Sequence, residues 1–205
     1  MSMNIYKKGS RGELVKQIQR ALKLYPDGIY GAITEEAVRE FQRKKGLKID
    51  GIVGPATLAL LIPTRLKKSS RTINEIIVHC TATPEGREVS VSEIRQWHKA
   101  RGFSDVGYHY VIHLDGTIEP GRDVDLIGAH CTNHNAHSIG VCYVGGMDAL
   151  NKHPKDTRTI KQKDALLNLL KLLKKLYPNA RIYGHRDFAA KACPCFDAKN
   201  EYRFC

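Results

Sequence analysis

The chain has 205 residues, of which 42% are hydrophobic and 26% are charged. This length suits one ordinary domain and a small second one, and the apolar fraction is that of a folded globular protein, which argues against an intrinsically disordered chain. The net charge of +12 favours anionic partners without choosing among nucleic acid, membrane surfaces and cell-wall polymers.

The sequence lacks the usual marks of an exported, membrane-spanning or nucleic-acid-binding protein. No stretch approaches the ~20 apolar residues of a membrane span, and MSMNIYKKGSRGE lacks the apolar core of a secretory signal. We therefore expect no signal peptide and synthesis in a cytosol, where cysteines act as thiols or metal ligands rather than in disulfides. Without a zinc-finger spacing or an aromatic RNA-binding signature, no nucleic-acid partner is expected.

The first part of the chain predicts three short helices. ELVKQIQRALKLY places apolar side chains at helical spacing on one face. These side chains are Leu14, Ile18, Ala21, Leu22 and Tyr25. A second helix carries Ala37, Val38 and Phe41 on one stripe, and ATLALLI gives a short third. Residues 1–62 are thus predicted to form a small all-α domain with a modest core.

A repeat lies within this predicted domain. DGIYGAIT at 27–34 recurs as DGIVGPAT at 50–57, 23 positions later. Each copy predicts a turn followed by a helix start, and Pro55 suits a first helical position. Together with GSRGELVKQIQRAL, these segments resemble the peptidoglycan-binding domain of the three-helix type. The resemblance implies bacterial peptidoglycan as the partner, and a plain helical spacer is the alternative, since such a repeat primarily reports folding.

The rest of the chain predicts a linker and a larger domain. PTRLKKSSRT, residues 63–72, has no hydrophobic period and is typical of a linker. Within residues 73–205, segments rich in β-branched and aromatic residues predict strands: INEIIVHC, YHYVIHL, SIGVCYVGG and ARIYGH. Capping-box spacing predicts helices after Ser90 and Thr159. We predict an α/β domain with a central mixed sheet flanked by helices.

Two histidines end predicted strands in this domain. His79 lies near the end of INEIIVHC and His185 closes ARIYGH, so both side chains can face one cleft at the edge of a sheet. Cys193, eight residues after His185, can return to them on a loop. Any one histidine among nine is nevertheless more often a surface or core residue than a ligand. Spacing alone therefore leaves a metal site as one alternative.

Ordered motifs across residues 73–197 carry a second resemblance. They are IIVHCTAT, SEIRQWHKARG, DVGYHYVIHLDGT, GRD, HSIGVCYVGG and KACPCFD. In this order they resemble the zinc N-acetylmuramoyl-L-alanine amidases of the bacteriophage lysozyme type, which are relatives of animal peptidoglycan recognition proteins. The resemblance implies hydrolysis of the amide bond between N-acetylmuramic acid and the L-alanine of peptidoglycan, with Zn²⁺ as the cofactor.

The resemblance also implies roles for particular residues. The implied metal ligands are His79, His185 and Cys193. Three nitrogen and sulfur ligands leave the fourth position of zinc free for water. The implied catalytic pair is Tyr108, which would orient water or pass a proton, and Lys191, which would hydrogen-bond the oxygen that becomes negative. His130 matches a histidine of the substrate cleft, so substrate binding is implied for it.

Several alternatives stay open at the level of sequence. CPC offers a second thiol, Cys195, as a rival to Cys193, and oxidation could link the two. We expect a monomeric phage endolysin that stays in the host cytoplasm before lysis and then acts at the cell wall. A non-catalytic peptidoglycan recognition module is one alternative, and an amidase that also regulates an RNA polymerase is another. The retained Cys193 favours an enzyme over a mere binder.

Overall fold

The computed structural model describes residues 5–61 and 66–205. The chain divides into two compact units, Met1–Arg65 and Leu66–Cys205. Residues 62–65, which include the start of the predicted linker, lie outside the described part. None of the helices in the described part is both long and apolar enough to cross a membrane.

The first unit contains the helices that its sequence predicts. They are α1 (Glu13–Ala21), α2 (Ala32–Lys44) and α3 (Pro55–Leu61). Its buried apolar core consists of Val15, Ile18, Tyr30, Val38, Val53 and Leu61. The predicted stripe of the first helix is wrong at its end. Because α1 ends at Ala21, Tyr25 lies beyond the helical period and is 85% exposed, whereas Val15 is fully buried.

Each copy of the repeat closes on a buried glutamine. Gln19 Nε2 donates to Asp27 Oδ1 at 2.7 Å, and Gln19 Oε1 accepts from Gly28 N at 2.8 Å. Gln42 makes the same two bonds to the Asp-Gly turn of the second copy, at 3.0 and 2.9 Å. We call each set a turn clasp. Gln19 and Gln42 are 23 positions apart, which is the same spacing as that of the two Asp-Gly turns. Each repeated unit therefore begins at its glutamine, upstream of the turn from which the repeat was recognised.

The second unit is built on a mixed sheet. Its strands are β1 (Glu75–Cys80), β2 (Thr83–Pro84), β3 (Tyr110–Ile112), β4 (Ile118–Pro120), β5 (Ser138–Tyr143), β6 (Gly146–Met147) and β7 (Arg181–Gly184). Five of them form the central sheet in the order β4-β3-β5-β1-β7, and β2 pairs with β6. Neighbours in the central sheet run parallel except β3 and β4, so the sheet is mixed, as predicted.

Helices accompany this sheet. They are α4 (Val91–Ala100), α5 (Ile160–Leu176) and the short α6 (Ala198–Glu201). Ser90 accepts from Glu93 N at the start of α4, and Thr159 and Gln162 form a complete capping box at the start of α5. The leucine face of α5 joins the strand residues in one core. Its fully buried members are Leu166, Leu169, Leu170 and Leu173.

Residues 66–72 form an anchored arm on the second unit. Ser69 N donates to the Tyr177 hydroxyl at 2.6 Å. The Arg71 guanidinium donates to three main-chain carbonyl oxygens at and just before the start of β5, at 3.1, 3.2 and 3.2 Å. Residues 66–72 of the linker predicted over 63–72 thus belong to the second unit, because their polar groups find partners there.

Candidate active site

Two neighbouring strands bring two histidines to one end of the sheet. His79 is the fifth residue of β1, and His185 directly follows β7. Because β1 and β7 are parallel neighbours, their carboxyl ends meet at the same edge. The two imidazole rings lie 4.8 Å apart between centroids, and His79 is only 1% exposed.

Cys193 completes a group of three donors. Its Sγ lies 3.9 Å from His79 Nδ1 and accepts a hydrogen bond from Cys80 N at 3.3 Å. The donor atoms of His79, His185 and Cys193 all lie within 4.8 Å of one another. Zinc bonds of about 2.0–2.3 Å place tetrahedral ligands roughly 3.3–3.8 Å apart. The three residues therefore fit a zinc ion after only a small closing movement.

Both histidines of this group are neutral at physiological pH. Burial lowers the pKa of His79 well below its ordinary value, and proximity to His130, to His185 and to the Lys191 ammonium lowers it further. Burial and then Lys191 also lower the pKa of His185. A neutral imidazole keeps the lone pair that a metal ligand must offer, so the surroundings prepare both rings for this task.

Cys195 faces away from the histidines. Its Sγ lies 3.8 Å from Cys80 Sγ and donates to Gly146 O at 3.1 Å. The contact with Cys80 and burial raise the pKa of the Cys195 thiol, and the pKa of Cys80 is raised to about 12, first by its contact with Cys193. Metal binding needs a thiolate. Of the two thiols that the sequence left open, Cys193 is the one that lies in the group of three donor atoms.

Tyr108 stands beside the histidine pair, with its ring 5.2 Å from that of His79. Gly107 allows this position, because a Cβ there would overlap Ala129 O. The same segment is held by His98 Nδ1, which accepts from Gly107 N at 2.8 Å. Burial raises the pKa of Tyr108 well above its ordinary value, so the side chain remains a phenol that can donate a hydrogen bond.

Tyr108 and His185 border a cleft of about 370 Å³. Its lining residues are His98, Arg101, Phe103, Tyr108, Ala129, His130, Cys131, Thr132, Asn135, His185 and Lys191. Arg101 and Lys191 are exposed cations, and none of these described lining residues is acidic. The cleft therefore suits a polar ligand that carries carbonyl or carboxylate oxygens.

Sequence reasoning did not assign several of these lining residues to the site. The available signal for His98 was its position four residues after Ile94 on the buried face of α4, where a histidine needs a polar partner. Arg101 and Phe103 follow the end of this helix, and no local pattern marks them. His130 was assigned, and it lies both in the cleft and against the donor group, with its Nδ1 3.0 Å from His79 Nε2.

Comparison with known proteins agrees with this geometry. A family model described as N-acetylmuramoyl-L-alanine amidase matches residues 69–196, and one described as "Putative peptidoglycan binding domain" matches residues 11–61. The endolysin of Klebsiella phage KP32 is 50% identical over 126 residues, which are 62% of this chain and 83% of that protein. A peptidoglycan-recognition protein of Drosophila melanogaster is 27% identical over 156 residues, 74% and 79% of the two chains. The solved endolysin N-acetylmuramoyl-L-alanine amidase LysCS from Clostridium intestinale URNW aligns with a TM-score of 0.55 at 28% identity, over 64% of this chain and 81% of that one.

Proposed function

The chain belongs to the N-acetylmuramoyl-L-alanine amidase family, and from this premise we propose that His79, His185 and Cys193 form its zinc site. The protein is a peptidoglycan-cleaving amidase of the phage endolysin type. One observation carries the proposal for the metal, the convergence of two neutral imidazoles and one thiol within 4.8 Å. Zinc prefers such nitrogen and sulfur donors, and when bound it supplies Lewis acidity and an activated water.

Lys191 and Tyr108 are the proposed catalytic pair at this site. Lys191 lies close enough to His79 and His185 to lower the pKa of both. Its ammonium would donate a hydrogen bond to the amide carbonyl oxygen as that oxygen becomes negative. One such donor is typically worth about 10²–10³ in turnover. The Tyr108 phenol would hydrogen-bond the groups that exchange protons as the amide nitrogen leaves.

The first unit is proposed to hold the enzyme on its insoluble substrate. Its described residues match a peptidoglycan-binding family over 11–61, and tethering raises the local concentration of an enzyme even when the module binds weakly. We propose that the protein is made in the host cytoplasm and acts at the cell wall once lysis begins, as a monomer.

A non-catalytic recognition module is the rival interpretation of the same family. Such a module would need no thiol facing two neutral histidines, whereas here Cys193 Sγ is 3.9 Å from His79 Nδ1. This placement supports the amidase over the binder.

The deciding experiment measures new amino groups released from purified peptidoglycan by zinc-loaded protein. Cys193→Ala should abolish release and lose zinc, and Cys195→Ala is its matched control because that thiol faces Cys80 instead. An active Cys193→Ala protein would refute the ligand assignment. If the unaltered protein sediments with peptidoglycan and releases nothing, it is a recognition module.

A further inference from the structure

We infer that His130 is a positioning residue that holds His79 in its metal-binding orientation, through a hydrogen-bonded chain that continues to Ser138. This inference rests on the proposed zinc site and differs from the substrate contact that the sequence resemblance implied for His130. We call the three hydrogen-bonded side chains of His79, His130 and Ser138 the histidine relay.

The direction of the relay follows from the two ring nitrogens of His79. Nδ1 faces Cys193 Sγ at 3.9 Å, and Nε2 faces His130 Nδ1 at 3.0 Å. A metal at Nδ1 requires the lone pair there, so the neutral ring must carry its proton on Nε2. Nε2 then donates to His130. The opposite direction would put a proton on His79 Nδ1 and block metal binding.

The contact between His130 and Ser138 is consistent with donation from His79 to His130. When His130 Nδ1 accepts from His79, the neutral His130 ring carries its own proton on Nε2. This nitrogen lies 3.3 Å from the hydroxyl oxygen of Ser138, which is fully buried at the start of β5. Each of the two histidine rings therefore has one defined proton position.

The His130 ring is seated by the fold. Its main-chain N donates to Asn135 Oδ1 at 2.8 Å. A Cβ at Gly128 or at Gly140 would lie 2.5 Å from the His130 ring carbon Cδ2. Any larger residue at either position would therefore collide with the ring. His130 is 9% exposed. A ring packed in this way is better suited to hold the buried metal ligand His79 in place than to contact a substrate.

Hydrogen bonds of this kind have a known effect on metal affinity. A ligating histidine donates its second ring N–H to a fixed acceptor, and loss of that acceptor typically weakens metal binding by about 10–100-fold. A substrate contact has a different effect, because its loss raises KM and leaves metal affinity unchanged.

The test measures zinc affinity of the full chain by competition with a chromogenic chelator. His130→Phe removes the acceptor at similar size and should raise the zinc Kd about 10–100-fold. His130→Gln keeps an oxygen acceptor and should recover a large part of the loss. Ser138→Ala, at the far end of the relay, should have a smaller effect than His130→Phe. In the zinc-loaded unaltered protein, nitrogen-15 NMR should show the His79 proton on Nε2.

The outcomes separate this inference from the proposed function. If the unaltered protein binds zinc and His130→Phe binds it equally well with a raised KM for a soluble muropeptide, His130 is a substrate contact and the inference is overturned. A zinc-loaded protein with the His79 proton on Nδ1 also overturns it, and this measurement does not depend on whether a variant folds. Failure of the unaltered protein to take up zinc refutes the zinc site itself, and the relay with it.

Discussion

Replacing Gln42 with leucine should remove most of the stability of the first unit. Gln42 is 1% exposed. Its amide donates to Asp50 Oδ1 at 3.0 Å and Ile52 O at 2.9 Å, and accepts from Gly51 N at 2.9 Å. Leucine has a similar size but can make none of these bonds, so it leaves the buried Gly51 N without its side-chain acceptor.

The expected loss can be worked from these contacts. The Gln42 side chain makes five hydrogen bonds with the described residues, and the three shortest, at a net value of about 1 kcal/mol each, give about 3 kcal/mol. A core of this size rarely supplies more than about 3–5 kcal/mol. Since each 1.4 kcal/mol is a factor of ten, the open population of the first unit should rise roughly 100-fold.

Hydrogen exchange of the full chain, followed by mass spectrometry, measures this opening directly. Amides in α2 and α3 should exchange roughly 100-fold faster in Gln42→Leu, and the variant should sediment less with peptidoglycan. Gln17→Leu is the matched control, because Gln17 is exposed on α1. If Gln42→Leu exchanges as slowly as Gln17→Leu, the turn clasp does not stabilise the unit and the reasoning is refuted.

Three further predictions concern the second unit. Lys191→Met should lower turnover on peptidoglycan about 10²–10³-fold with zinc content unchanged, and a loss of zinc would contradict the assigned role. Arg71→Gln should lower the free energy of unfolding in urea by about 2 kcal/mol, whereas Lys68→Gln, at an exposed position of the same arm, should not; equal effects would refute the anchored arm. Burial lowers the pKa of both His98 and His109 to about 4. Below about pH 6.5 these two histidines are protonated in the unfolded chain but stay neutral in the folded protein. The free energy of unfolding should therefore fall from pH 7 to 5 by roughly 2 kcal/mol per histidine. A free energy of unfolding in urea that does not change over this pH range would contradict this.

Local sequence patterns correctly predicted helix starts and strands, because these features depend on residues that are close together in the chain. The capping box at Thr159 depends on a hydroxyl and an amide three residues apart, and the structure contains it as predicted. INEIIVHC and ARIYGH were likewise predicted as strands from their β-branched and aromatic residues, so that His79 was expected near the end of one strand and His185 at the end of another. These features need no knowledge of distant contacts.

Other parts of the site depend on contacts between distant parts of the chain. His79 and His130 are 51 positions apart, and no spacing rule predicts that their rings share a hydrogen bond. The pairing of Cys195 with Cys80 spans 115 positions and likewise had no local sign. Arg71 looked like one more basic residue of a linker, because its carbonyl partners belong to a loop that the sequence does not place beside it.

The turn clasps divide the first unit into a frame and a surface that can change separately. Both copies use one glutamine and one Asp-Gly turn at the same spacing, so the internal bonds are equivalent in the two halves. Ile29, which is 41% exposed, and Ile49, which is 44% exposed, contribute their side chains to neither clasp. Substitutions at such outward positions can accumulate in one copy while the other keeps its original surface. The duplicated frame thus fixes the backbone of both halves and leaves the outward side chains of each half able to differ without loss of the fold.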